Sequence, residues 1–165
     1  MSEKKVIIGF VVVTALVLAG GIFLLTKSST AGQVEISQNV KAEAAEKTFD
    51  WGNIPMYKGN VTKTFTIKNS GTDTLKLINI RTSCHCTQAQ VKIDGQSSPF
   101  FGMSTVSSWI GEVVPGREAQ LDVIFDPAYH GPQGVGPINR FVSVETNDPN
   151  NKTLDFSVAG TVVKE

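Results

Sequence analysis

VTKTFTIKNSGTDTLKLINI, residues 61–80, is the stretch whose reading decides the fold. Val61, Phe65 and Ile67 fall on one side of an extended chain, with Thr62, Thr64, Thr66 and Lys68 on the other. That period of two marks a strand with one buried face. Ser70-Gly71-Thr72-Asp73 carries turn chemistry, and LKLINI (75–80) is apolar again, so the pair reads as a hairpin. The same texture runs on towards the C-terminus. AQLDVIF (119–125) alternates before Asp126-Pro127 stops it, RFVSVET (140–146) ends in Asn147-Asp148-Pro149, and TLDFSVAGTVV (153–163) closes the series. TFDWG (48–52) opens it, with a bend at Asn53-Ile54-Pro55.

No segment after residue 48 has a helical period. Recurrent strands separated by turn signals predict an all-β, immunoglobulin-like antiparallel sandwich over residues 48–165. Its expected core is Phe65, Ile67, Leu77, Leu121, Val123, Phe125, Val144, Phe156 and Val158. Residues 94–117 read as an insertion that brings Phe100, Phe101, Met103 and Trp109 to one end of the sandwich, either as a cap or as an exposed lip for a partner.

Upstream, residues 6–26 (VIIGFVVVTALVLAGGIFLLT) carry no charge and would span roughly 32 Å as a helix, the thickness of a bilayer core. A single transmembrane helix is expected there, with a cleaved signal peptide as its competitor. Lys4 and Lys5 would keep residues 1–5 in the cytoplasm and place the C-terminal domain outside it, where disulfides persist. Residues 27–47 are polar and small and read as a flexible linker.

The 165-residue chain balances fifteen Lys and Arg against fifteen Asp and Glu, which removes the basic field that nucleic-acid binding requires. No Ser-His-Asp order, paired acids, phosphate-cradling loop or cofactor fingerprint appears, so an enzyme is not expected. Asp50, Asp94, Asp126 and Asp148 neighbour Gly, Pro or strand ends and read as turn formers.

Taken in order, FDWG, FTIKNSG, LKLINIRTSCHCT, VVPG, LDVIFDP and VETNDP resemble the bacterial family DUF1573, itself similar to Ig-like modules of the ASPM–SPD-2–Hydin and major-sperm-protein type. The resemblance runs from residue 48 to about 163. It implies the Ig-like fold and an exported or membrane-anchored bacterial protein, but no reaction. The family's usual signature is SCGCT; here His85 stands in place of the glycine. If that glycine serves a backbone with positive φ, histidine there is strained.

Both cysteines of the chain, Cys84 and Cys86, lie in that signature. In a regular strand their Cα atoms would be about 6.6 Å apart, the outer edge of disulfide geometry, so a bond between them needs a bent backbone and closes a small, easily reduced ring. The junction between the strand ending near Ile80 and the pattern resuming at Thr87 is where such a bend is expected. Two thiolates also suit a soft ion, Cu(I) ahead of Zn(II), with His85 as a third ligand and His130 and Met103 as weaker ones. Two buried, inert thiols are the third possibility. The function expected first is a membrane-anchored, extracytoplasmic binding or assembly module that takes an extended partner by strand addition. Metal handling through Cys84, His85 and Cys86 and thiol–disulfide redox chemistry are the alternatives.

Overall fold

The computed structural model describes residues 12–14 and 34–164. Among these residues ten strands form two five-stranded sheets, and the strand pairs are antiparallel except one. β1 (Ala42–Glu43), β3 (Val61–Asn69), β8 (Glu118–Phe125), β5 (Thr87–Ile93) and β6 (Gln96–Ser97) make the first sheet, in the order β1-β3-β8-β5-β6. β2 (Thr48–Pro55), β10 (Thr153–Val163), β9 (Gly136–Thr146), β4 (Leu75–Thr82) and β7 (Gly111–Val113) make the second, in the order β2-β10-β9-β4-β7. β2 runs parallel to β10, with a register break between Ala159 and Thr161. Gly160 sits in that break because a Cβ there would come within 2.6 Å of the Ile54 side chain and 3.0 Å of the Gly52 carbonyl oxygen.

The alternating strands supply the core. Every one of the nine expected core residues is buried, none with more than 2% of its surface exposed. Phe65 and Phe156 face each other across the two sheets with ring centroids 5.0 Å apart. In the segment 94–117, Phe101 is buried and its backbone bridges Ala89, while Trp109 packs on it at 5.4 Å; Phe100 and Met103 stay exposed.

The hairpin read at 61–80 does not form. β3 pairs β8 in one sheet and β4 pairs β9 in the other, so residues 70–74 carry the chain between sheets. Asn69 makes this arch: its side-chain amide donates to the carbonyls of Asp73 and Val113, both at 2.8 Å, and its Oδ1 accepts from Gly71 N–H. Gly71 is required by close approach, since a Cβ would lie 2.3 Å from the Asn39 carbonyl oxygen. Turn composition marked the reversal; the long-range partners chose its kind.

Two further expectations are corrected. Among the described residues no helix is long and apolar enough to cross a membrane. Of the segment 6–26 only Val12, Val13 and Thr14 are described, and three helical residues rise about 4.5 Å. Among the described residues the fold is the sandwich, with no transmembrane helix; the rest of the segment 6–26 lies outside the described residues. The linker expected over 27–47 also gives way where it is described. Val40 and Ala42 are buried, β1 pairs β3, and Ser37 N–H donates to the Asn147 carbonyl. Two apolar side chains spaced to face inward are enough to dock a polar segment whose backbone finds partners.

Asp148 fixes that docking. Fully buried, it accepts hydrogen bonds from Ala42 N–H (2.8 Å), Asn150 N–H (2.8 Å) and the Asn151 side chain (3.1 Å). Burial by itself would raise its pKa, but these donors outweigh it and hold the carboxyl below its ordinary value. A depressed folded-state pKa means stability that is present above the unfolded value, about 3.9, and lost as pH falls through the folded one. Asp148→Asn should therefore cost about 1–3 kcal/mol at neutral pH. In urea titrations the gap between wild type and variant should shrink below pH about 4; a gap that stays constant into acid would contradict the role.

Candidate functional site

β4 ends at Thr82 and β5 begins at Thr87, in opposite sheets, so SCHC (83–86) crosses the end of the sandwich. The crossing is a tight turn: Thr87 N–H donates to the Cys84 carbonyl at 3.1 Å, and Cys86 N–H points at Cys84 Sγ at 3.2 Å. The Thr82 hydroxyl lies 3.0 Å from the carbonyl oxygens of both Cys84 and Thr87 and can donate to either. Outside the turn, Ser83 N–H donates to the Phe141 carbonyl and Asp126 N–H to the Cys86 carbonyl. The bend shortens the Cys84–Cys86 Cα separation to 5.2 Å, and the two residues form a disulfide. His85 occupies the turn without positive φ; among the described non-glycine residues only Asn79 and Asp94 adopt it. The glycine of the usual signature is therefore not demanded by backbone conformation here.

The two sulfurs differ in their surroundings. Cys86 is 2% exposed and packs on a small apolar floor of Ile54, Met56, Phe125 and Val162. The Arg140 guanidinium reaches its Sγ with Nε at 3.2 Å, while lying 5.8 Å from the Phe125 ring centroid. Cys84 is only partly buried, and His130 Nε2 stands 3.8 Å from its Sγ. His130 is held in a turn begun by Asp126, whose carboxylate accepts Ala128 N–H at 2.9 Å, and the Gly131–Gly134 3-10 turn follows it. Exposed aromatic rings flank the group. Tyr129 lies edge-on to His130 at 5.0 Å, and Phe141 is hydrogen-bonded through its backbone to Ser83.

Of the residues singled out in the sequence, the structure gathers Cys84, Cys86 and His130, with their ligand atoms all within 4.8 Å of one another. His85 is exposed and outside that group; Met103, two residues after the Phe101 bridge, is exposed. Arg140 was not singled out. It stands 54 residues from Cys86 inside an ordinary strand pattern, and no local signal marks it.

This turn is the SCxCT element of the sequence pattern, and the family model agrees with it. Residues 42–96 match DUF1573, a protein family of unknown function. The match runs from β1 through the start of β6 and includes the disulfide turn. No curated protein matches the chain. Among solved structures, a Porphyromonas gingivalis W83 protein of unknown function superposes with TM-score 0.55 at 19% identity, covering 81% of this chain and 50% of that one. The chain thus spans about half the length of that protein. The ASH/PapD-like domain (PapD-like domain 7) of human CEP192 is similar at TM-score 0.48 and 18% identity, over 84% of this chain and 96% of that one. The E. coli chaperone DraB gives 0.37 at 10% identity, over 74% and 55%. The DUF1573 match bears out the family resemblance over residues 42–96, and the first of these structures shares the β-sandwich fold; neither carries a reaction.

Proposed function

We propose that this DUF1573-type domain is an extracytoplasmic module that exchanges thiols and disulfides with a partner through Cys84 and Cys86. One observation carries the reading: a partly exposed cysteine is bonded to a buried one whose sulfur a guanidinium touches. An incoming thiolate would reach Cys84 Sγ, form a mixed disulfide there, and expel Cys86 as a thiolate beside Arg140. A second thiol of the partner then attacks its own sulfur and releases Cys84. Two electrons and two protons pass from the partner dithiol to the Cys84–Cys86 pair. Location outside the cytoplasm is supported by the disulfide itself, which a reducing compartment would not preserve.

The binding-module reading is favoured by a different feature. β2 is an edge strand, paired with β10 on one side and with no other strand among the described residues. Its end supplies Ile54 to the floor under Cys86, so a partner strand added along β2 would run towards the disulfide.

The test uses glutathione disulfide as probe. Cys86→Ser should form a mixed disulfide with glutathione at Cys84, seen by intact mass and reversed by dithiothreitol. Cys84→Ser, which leaves only the buried sulfur, should react at least about tenfold more slowly. No adduct on Cys86→Ser, or equal rates for the two variants, would remove exchange at Cys84 from consideration.

A further inference from the structure

We infer that the reduced form of this site binds one Cu(I) ion through Cys84 Sγ, Cys86 Sγ and His130 Nε2, and that closing the disulfide expels it. The inference rests on the same cysteines as the exchange reading but requires only that the disulfide can be opened.

The donors are already in place. All three ligand atoms lie within 4.8 Å of one another, and His130 Nε2 is 3.8 Å from Cys84 Sγ. Donors that share one ion at about 2.0–2.3 Å stand about 4 Å apart in a trigonal arrangement. Opening the S–S bond therefore needs the sulfurs to separate by a short distance while the turn stays fixed by its hydrogen bonds to Thr82, Thr87 and Asp126. His85, although next to both cysteines in sequence, is carried outward by that same turn.

Ligand number and charge select the ion. Zinc in a closed site takes four donors, and the described residues gather three. Cu(I) prefers thiolates. A Cu(I) bis-thiolate with a neutral imidazole carries one net negative charge, and the Arg140 guanidinium at 3.2 Å from Cys86 Sγ compensates it. A Zn(II) centre with the same donors would be neutral, leaving Arg140 as an unbalanced cation. The apolar floor of Ile54, Met56, Phe125 and Val162 keeps water from that side of the centre, as a soft, weakly hydrated ion requires.

The balance is explicit. A dithiol reductant becomes a cyclic disulfide and delivers two electrons and two protons to the Cys84–Cys86 bond. Cu(I) then replaces the two thiol protons, which pass to the buffer, and its oxidation state does not change. A disulfide oxidant runs the reverse: it takes two electrons from the thiolates, and Cu(I) leaves.

The full chain is reduced with dithiothreitol, freed of it without oxygen, and checked for two titratable thiols. Cu(I) is then offered in competition with the chromophoric chelator bathocuproine disulfonate. One Cu(I) should bind per reduced chain and none per oxidised chain, and X-ray absorption should count two sulfur donors and one nitrogen. His130→Ala should weaken binding by at least about tenfold, whereas His85→Ala should leave it unchanged. No uptake by the reduced chain, equal uptake by the oxidised chain, or wild-type affinity in His130→Ala would each overturn the assignment. If two thiols appear without copper uptake, this inference fails while exchange stands. Copper uptake with no glutathione adduct on Cys86→Ser upholds the copper site and removes exchange.

Discussion

Phe65→Ala is expected to lower folding stability by about 3–5 kcal/mol, measured by urea or thermal unfolding. Phe65 is 1% exposed, at the centre of β3, with the Phe156 ring 5.0 Å away on the opposite sheet. Truncation removes the transfer free energy of the ring and leaves a cavity that neither sheet can collapse into, because β3 is held by its ladder to β8 from Val61 to Lys68. A loss below about 1 kcal/mol would mean that the inner face of the sandwich is misassigned. A partial truncation is informative too: Phe65→Leu should cost much less than Phe65→Ala, since it keeps most of the volume.

The second large effect is kinetic. Arg140→Met should slow reduction of the Cys84–Cys86 disulfide by small thiols on the order of tenfold, with little change in unfolding midpoint. An opposite charge in contact favours a thiolate over the neutral thiol, and a better-stabilised thiolate leaves faster. Met has about the reach of the Arg stem and removes the guanidinium that lies 5.8 Å from the Phe125 ring centroid. Arg140→Lys should restore much of the rate, which a purely structural role for the side chain would not predict. Equal reduction rates for wild type and Arg140→Met would show that the guanidinium at 3.2 Å does not assist the departing sulfur.

The strands were legible because each carries its own instruction. VTKTFTIKN occupies β3 from Val61 to Asn69, and TLDFSVAGTVV occupies β10 from Thr153 to Val163, as alternation alone predicts. The bend at 83–86 was equally readable, since apolar alternation fails between Ile80 and Thr87 and two close cysteines need a departure from the pleat. Turn residues at Ser70-Gly71-Thr72-Asp73 and Asn147-Asp148-Pro149 were readable as turns, but the buried hydrogen bonds of the adjoining Asn69 to Val113 and of Asp148 to Ala42 were not. A turn's composition is local, whereas its bond partners lie tens of residues away.

By itself, then, the sequence determined the all-β class, the long alternating strands, the nine inward-facing core residues and the place where both thiols meet, because period-two patterning and turn chemistry act over a few residues. Tertiary structure alone decided that residues 70–74 join two sheets rather than a hairpin, and that β1 forms within a segment that reads as linker. It also decided that Cys84 meets His130 across 46 residues while Cys86 meets Arg140 across 54. Those outcomes depend on which strands pair and in what register. Sheet order is set by burying all the inner faces at once, so no short stretch of chain encodes it.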